Sequence, residues 1–129
     1  KNKTLHFVAG VAYASNKQLD KAEEAYKKAL EIDPSYADAV YNLAVIYIDK
    51  GNAFINEANA LPNNKNTEAK YNSLKGQFNA HLAKAAPLLE KARELNPKDK
   101  NVIRALREVY VKLNKLDKAS ELKKQLDQM

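Results

Sequence analysis

Small residues, a tyrosine and a proline recur in this chain at a spacing that forces two helices together. Gly10-x2-Tyr13 is followed by Ala22-x3-Tyr26, Ala29 and Pro34. Gly10 and Tyr13 share one face of a first helix, where a residue without a side chain admits a second helix closely and the ring covers the seam. Ala22, Tyr26 and Ala29 stand at i, i+4 and i+7 on the second helix. Two small residues around a bulky one make a stripe that sets a short interhelical distance. Pro34 disfavours helical geometry at Asp33 and stops the helix, so one helical hairpin ends there.

The same pattern opens again at once, with Val40, Leu43, Ala44 and Tyr47 in the places of His6, Ala9, Gly10 and Tyr13. Its closing half comes much later, as Ala85, Leu89, Ala92 and Pro97. Pro34 to Pro97 is 63 residues, so this copy carries about 29 residues beyond one period of about 34. A third copy follows with Ile103, Leu106, Tyr110 and Ala119. It has Arg107 at a small-residue place, Lys123 at the aromatic one and no closing proline. Those polar replacements are those of a solvent-facing terminal repeat, which an array needs to stay in solution.

Three copies in phase, two of them closing in Ile-Asp-Pro or Leu-Asn-Pro, resemble the tetratricopeptide repeat (TPR) and cover nearly the whole chain outside the extra segment. His6 departs from the family's usual Trp, and the third copy is irregular. The resemblance implies an all-α, right-handed solenoid of three helical hairpins, a single domain, with repeats at about 3–36, 37–99 (carrying the insertion) and 100–129. The expected helices are roughly 3–15, 19–32, 36–60, 67–96, 99–113 and 116–128, without strands. The segments Asn56 to Pro62 and Ala86 to Ala92 are also similar to a group of TPR proteins from Bacteroides-type bacteria. Those are commonly exported, which implies a bacterial cell-envelope location and no particular substrate.

Within the insertion the clear turn signal is Leu61-Pro62-Asn63-Asn64-Lys65-Asn66. Before it, Val40, Leu43, Tyr47, Gly51, Phe54 and Ala58 keep a three-or-four spacing. After it, Tyr71, Leu74, Phe78, Leu82, Ala85, Leu89 and Ala92 continue one stripe, with Thr67 available as an N-cap. Two arrangements fit. Either two long antiparallel helices run past their neighbours by roughly 15 Å, or the first helix ends at Lys50-Gly51-Asn52 and the insertion folds as a separate small hairpin. The long hairpin is the simpler of the two, although Gly51 inside a helix costs about 1 kcal/mol. Pro87 falls within the second stripe and is expected to bend it by clashing with the carbonyl of Ala83.

The chemistry-bearing residues are sparse. Cysteine is absent, which removes disulfides and thiol chemistry and leaves the redox compartment undetermined. His6 and His81 are the two histidines, and neither has a second ligand at metal spacing; His6 occupies a packing position of the repeat. Glu23, Glu24 and the other acids alternate with lysines as on a solvated helix face. No Gly-rich phosphate loop or nucleophile elbow occurs, so the residues imply no enzyme, no cofactor and no metal. No apolar run approaches the roughly 20 residues that span a bilayer. The chain begins at Lys1 rather than Met, as a trimmed or processed product does, and whether a signal peptide or upstream repeats once preceded it stays open.

The resemblance implies that the first helix of each repeat lines a concave groove where a partner binds. In this register the groove presents Phe7, Val11, Tyr41, Asn42, Val45, Ile48, Arg104, Glu108 and Lys112. The family's clamp for a partner's terminal carboxylate uses Lys, Asn and Arg. Its places here hold Phe7, Val11, Asn42, Asn101 and Ala105, of which only Asn42 fits. The apolar lining instead matches an apolar helix or extended segment. A non-catalytic protein-binding scaffold is the leading reading, and an upstream repeat covering Phe7 and Val11 is a competing account of those two residues. Two other readings stay open. One is a self-associating module. The other is a basic binder of nucleic acid or anionic membrane, prompted by a net charge of +6. Against it, the lysines spread over every helix and the tyrosines occupy packing places rather than a stacking platform.

Overall fold

The computed structural model describes residues 2–129 and contains six α-helices and no strand among them. They are α1 (Lys3–Ser15), α2 (Leu19–Ile32), α3 (Ala37–Asn59), α4 (Glu68–Leu95), α5 (Lys100–Lys112) and α6 (Leu116–Asp127). Each helix packs chiefly on the one before and the one after it, as in a solenoid. The ends follow local chemistry. Asn2 caps α1, its Oδ1 accepting from the backbone N–H groups of Thr4 and Leu5 at 3.0 and 3.2 Å. Asp99 does the same for α5 through the Asn101 N–H at 3.0 Å. α2 and α4 stop at Ile32 and Leu95, two residues before Pro34 and Pro97.

The first and third hairpins turn identically. Lys17 and Asn114 take the left-handed conformation, with φ of 63° and 61°. The Gln18 N–H donates to the Tyr13 carbonyl at 2.9 Å, and the Lys115 N–H to the Tyr110 carbonyl at 2.8 Å. This is the six-to-one bond of a Schellman helix end. The second hairpin dispenses with that turn. α3 runs straight through Gly51 as one helix, so of the two arrangements the long hairpin is the one adopted. It has 23 residues against 13 in α1, a difference worth about 15 Å of length. A Cβ on Gly51 would lie 3.3 Å from both the His81 Cβ and the Phe78 carbonyl oxygen. Glycine therefore lets α4 lie close against α3 at that point. α4 continues as a single helix through Pro87.

Thr67 departs from its expected role. It occupies the N-cap place of α4, but its side chain caps nothing there. The hydroxyl donates backward to the carbonyls of Pro62 and Asn64, tying the turn together rather than the helix start. A threonine whose hydroxyl is committed to the preceding loop has no lone pair aimed at the free N–H groups ahead.

The core is continuous from α2 to α6. Its largest enclosed side chains are Tyr26, Ile46, Leu82, Leu89, Ile103, Leu106 and Val109, and Val40 with Ala92 and Val102 forms a second, smaller cluster. Ala22 and Ala85 are fully buried, as their places in the repeat require. Gly10 shows why that place is small: a Cβ there would stand 2.5 Å from Tyr26 Cε1, and the Tyr26 ring is itself enclosed. Gly10→Ala and Ala22→Leu are each expected to destabilise by about 1–3 kcal/mol through overpacking. Gly76, with open space around its Cα, is expected to gain about 0.5–1 kcal/mol on change to Ala, and Lys28→Ala to change little. Urea titrations followed by circular dichroism check all four; equal effects at Gly10 and Gly76 would contradict the close approach of α1 and α2.

Candidate functional site

Two kinds of surface separate the hairpins, a sealed seam on one side and a half-open groove on the other. The seam is closed by a tyrosine and a carboxylate at each junction. Tyr47 of α3 donates to Glu23 of α2 at 3.0 Å, and Tyr110 of α5 donates to Glu90 of α4. Lys50 joins the first pair, 2.6 Å from Glu23 and 2.5 Å from Asp20, while Lys27 lies 2.7 Å from Glu23. At the second, Arg93 stands 2.9 Å from Glu90. A lysine from the hairpin's own second helix lies over each ring: Lys84 on Tyr47 at 5.7 Å and Lys118 on Tyr110 at 5.4 Å.

These contacts set protonation. Burial alone would push the Glu23 carboxyl up, but hydrogen bonds from Lys27, Lys50 and Tyr47 override it and hold the group down at about 2. Burial and the Glu90 carboxylate push the Tyr110 phenol up to about 12. Because the folded value for Glu23 lies below its ordinary 4.5, its contribution to stability is complete above that ordinary value. It is lost as pH falls through about 2. Glu23→Gln is therefore expected to destabilise at pH 6 by about 1–2 kcal/mol, discounted for partial exposure. The two proteins should converge near pH 2 in urea unfolding.

The groove-side residues divide into three groups. Phe7 is half-buried, with its ring 5.8 Å from Tyr26 and 5.2 Å from Tyr36. Tyr36 precedes α3, and Lys3 lies over its ring at 5.1 Å. Val11 is 39% exposed on α1. In the middle, Tyr41, Asn42 and Val45 of α3 are half-buried. Burial, with the charge of Asp99, pushes the Tyr41 phenol up, and Asn42 Nδ2 donates to Tyr26 Oη at 3.4 Å. On the far side, Ile48 of α3 comes together with Glu108 and Lys112 of α5 around a cleft of about 40 Å³. Leu82, Ala105 and Val109 complete its lining. Glu108 and Lys112 stand 3.4 Å apart as an i,i+4 pair, and Arg104 is exposed.

Of the carboxylate-clamp places, Asn42 is occupied with Tyr26 and Asn101 is exposed at the start of α5. The residue reading missed Tyr36, Asp99 and Leu82 as groove neighbours. Only Tyr36 carried a local signal, as an aromatic side chain just before a helix start. A roomier cavity of about 590 Å³ lies at the tip of the long hairpin, between Ala58, Leu61, Pro62 and Tyr71, away from the groove. His81 is held by packing, its ring 5.3 Å from Phe54 and its Nδ1 2.8 Å from the Gln77 carbonyl oxygen. Among the described residues no three of His, Asp and Glu converge as a metal site, and no helix is long and apolar enough to cross a membrane.

Comparison with known proteins separates fold from family. A monomeric IFIT1 mutant solved with Gppp-AAAA superposes with a TM-score of 0.81 at 19% identity over 96% of this chain. The match spans 25% of the IFIT1 chain, so this chain has about a quarter of its length. That likeness is one of fold. MamA, at 26% identity over 93% of this chain and 68% of its own, superposes with a TM-score of only 0.38. No curated protein matches the sequence. A TPR repeat family model matches residues 10–51, and a tetratricopeptide repeat model matches residues 80–128. The interval they leave uncovered holds the outer part of the long α3–α4 hairpin. With six helices paired in sequence and the small-residue contacts in place, the chain belongs to the tetratricopeptide-repeat family.

Proposed function

We propose that this chain is a non-catalytic protein-binding scaffold, one domain of three hairpins with repeats at about 3–36, 37–99 and 100–129. Its groove holds an apolar peptide or helix along α1, α3 and α5. Tetratricopeptide repeats generally mediate protein–protein interaction, and the groove reading rests on one observation above all. Tyr41, Val45 and Ile48 lie half-open in a row on α3, although the intervening Leu43, Ala44, Ile46 and Tyr47 are buried. Half-exposed apolar side chains at helical spacing offer surface that a partner can still remove from water. The exposed Arg104, Glu108 and Lys112 on α5 supply a polar rim at one side.

Selection of peptides from a displayed random library against the folded protein tests the reading. Recovered sequences should share apolar residues at helical or alternating spacing, and their binding should be lost with Val45→Asp. Recovery of acidic sequences without an apolar pattern, unaffected by that change, would refute it.

A further inference from the structure

The half-open row on α3 continues past the point where the groove's walls end. Tyr41, Val45 and Ile48 are followed, at the same alternation of four and three residues, by Asn52 and Ile55, both again half-buried. Residues at that spacing share one face of a helix, and from Tyr41 to Ile55 the row measures about 21 Å along the axis. The walls are shorter. α1 and α5 have 13 residues each against 23 in α3. Matching Tyr13 and Tyr110 to Tyr47 sets the last residues of both walls, Ser15 and Lys112, opposite Asp49. Asn52 and Ile55 therefore lie beyond both walls, Ile55 by about 9 Å. The turns at Lys17 and Asn114 cut the walls short there, so the opening is made by the unequal lengths of the three hairpins.

Given the groove reading above, on which this rests, we propose that the occupant is an amphipathic α-helix of a partner protein, with acidic flanks and a length of about 15 residues or more, lying lengthwise on α3 from Tyr41 to Ile55. Such a helix covers the whole row with its own apolar residues at the same spacing, and Asn52 gives it one polar contact to fix its register. A segment crossing the three hairpins instead meets α3 at one or two side chains and leaves Asn52 and Ile55 unused. An extended segment laid along α3 turns unpaired backbone groups onto apolar side chains, whereas a helix satisfies its own. Charge selects the flanks. α1 and α5 together hold five lysines and arginines against one acid, Glu108, which lies 3.4 Å from Lys112. Of the acids beside the row, Asp38 and Asp49, the second feels the charge of Lys17 at the end of the first wall. Basic walls favour an acidic partner over a second copy of a chain whose net charge is +6.

The test pans the folded protein against two displayed libraries that both span the row, one of helices of about 18 residues built on Glu and Ala with one face randomised, the other of random segments of about 8 residues. Recovered peptides are titrated by fluorescence anisotropy. The helical library should yield the tighter binders, with apolar residues at four-and-three spacing and dissociation constants in the micromolar range or below. Trimming such a peptide to about nine residues, or placing Pro at its centre, should weaken it at least about tenfold. Ile55→Asp and Asn52→Glu, each checked by circular dichroism, should do the same; the second alters a half-buried polar side chain and so keeps the core. Val45→Asp separates the two readings. Binding lost with Val45→Asp but kept with both Ile55→Asp and Asn52→Glu would overturn this inference and leave the groove reading standing, and binding indifferent to all three would overturn both. Equal binding of peptides whose flanking Glu are replaced by Lys would overturn the acidic partner. Best affinities no tighter than about 1 mM, which suffice only for a segment tethered within the same chain, would overturn a separate partner. So would growth of the peptide-free protein in light scattering that Ile55→Asp abolishes, since that assigns the row to a second copy.

Discussion

Leu82→Ala is expected to lower the free energy of unfolding by about 2–5 kcal/mol, the range for a fully enclosed leucine. Leu82 has no solvent exposure and belongs to the main core. It also lines the cleft that Ile48 and α5 share, so truncation enlarges a gap that already exists between the second and third hairpins. Neighbours on three helices cannot all collapse into that space, which places the change in the costly part of the range. Lys91→Ala, exposed on the same helix, is expected to stay within about 0.5 kcal/mol. Denaturant unfolding followed by circular dichroism measures both, with an unchanged slope showing that the two unfolded states are comparable. Similar midpoints for the two variants would mean that α4 does not join α3 to α5.

The second large effect concerns recognition. With a peptide selected as described above, Tyr41→Ala is expected to weaken binding by about 2 kcal/mol or more, roughly 30-fold. Tyr41 is the one large aromatic side chain of the α3 groove row and is half-open, so it can anchor a partner without being wholly spent on the core. Val45→Asp should act as strongly, since it places an unpaired charge where the partner excludes water. Neutralising Lys123 and Lys124, exposed on α6, should matter far less. Titrations of spectroscopically checked variants at two salt concentrations decide the matter. Loss of binding confined to the lysine variants, with a steep salt dependence, would move recognition to an electrostatic surface.

Much of this architecture is legible in the residues. The expected helix bounds differ from the observed ones by at most one residue at any end, because caps, prolines and apolar stripes are local signals. The need for glycine at position 10 is also legible, and the enclosed Tyr26 ring accounts for it. The Glu23–Lys27 pair is visible at i,i+4 spacing, but Lys50 is 27 residues from Glu23, and no local pattern marks it as the second partner. Thr67 looked like a cap because its identity suits one; the turn that captures its hydroxyl could be judged only from the path of the loop.

By itself, then, the sequence determined the all-helical class, the repeat register and the small-residue contacts, since each depends on side chains within a few turns of one another. Only the tertiary structure decided whether α3 passes through Gly51. The helix cost of a glycine is small, and the choice turned on whether Phe78 and His81, far along the chain, would pack across it. It also decided which of three equivalent tyrosines is sealed. Tyr13, Tyr47 and Tyr110 share one place in the repeat, yet the last two are enclosed by a preceding helix and its carboxylate while Tyr13 is left 36% exposed. Register assigns a residue its place, but the contacts that seal Tyr47 and Tyr110 come from carboxylates 24 and 20 residues away, which no local pattern marks.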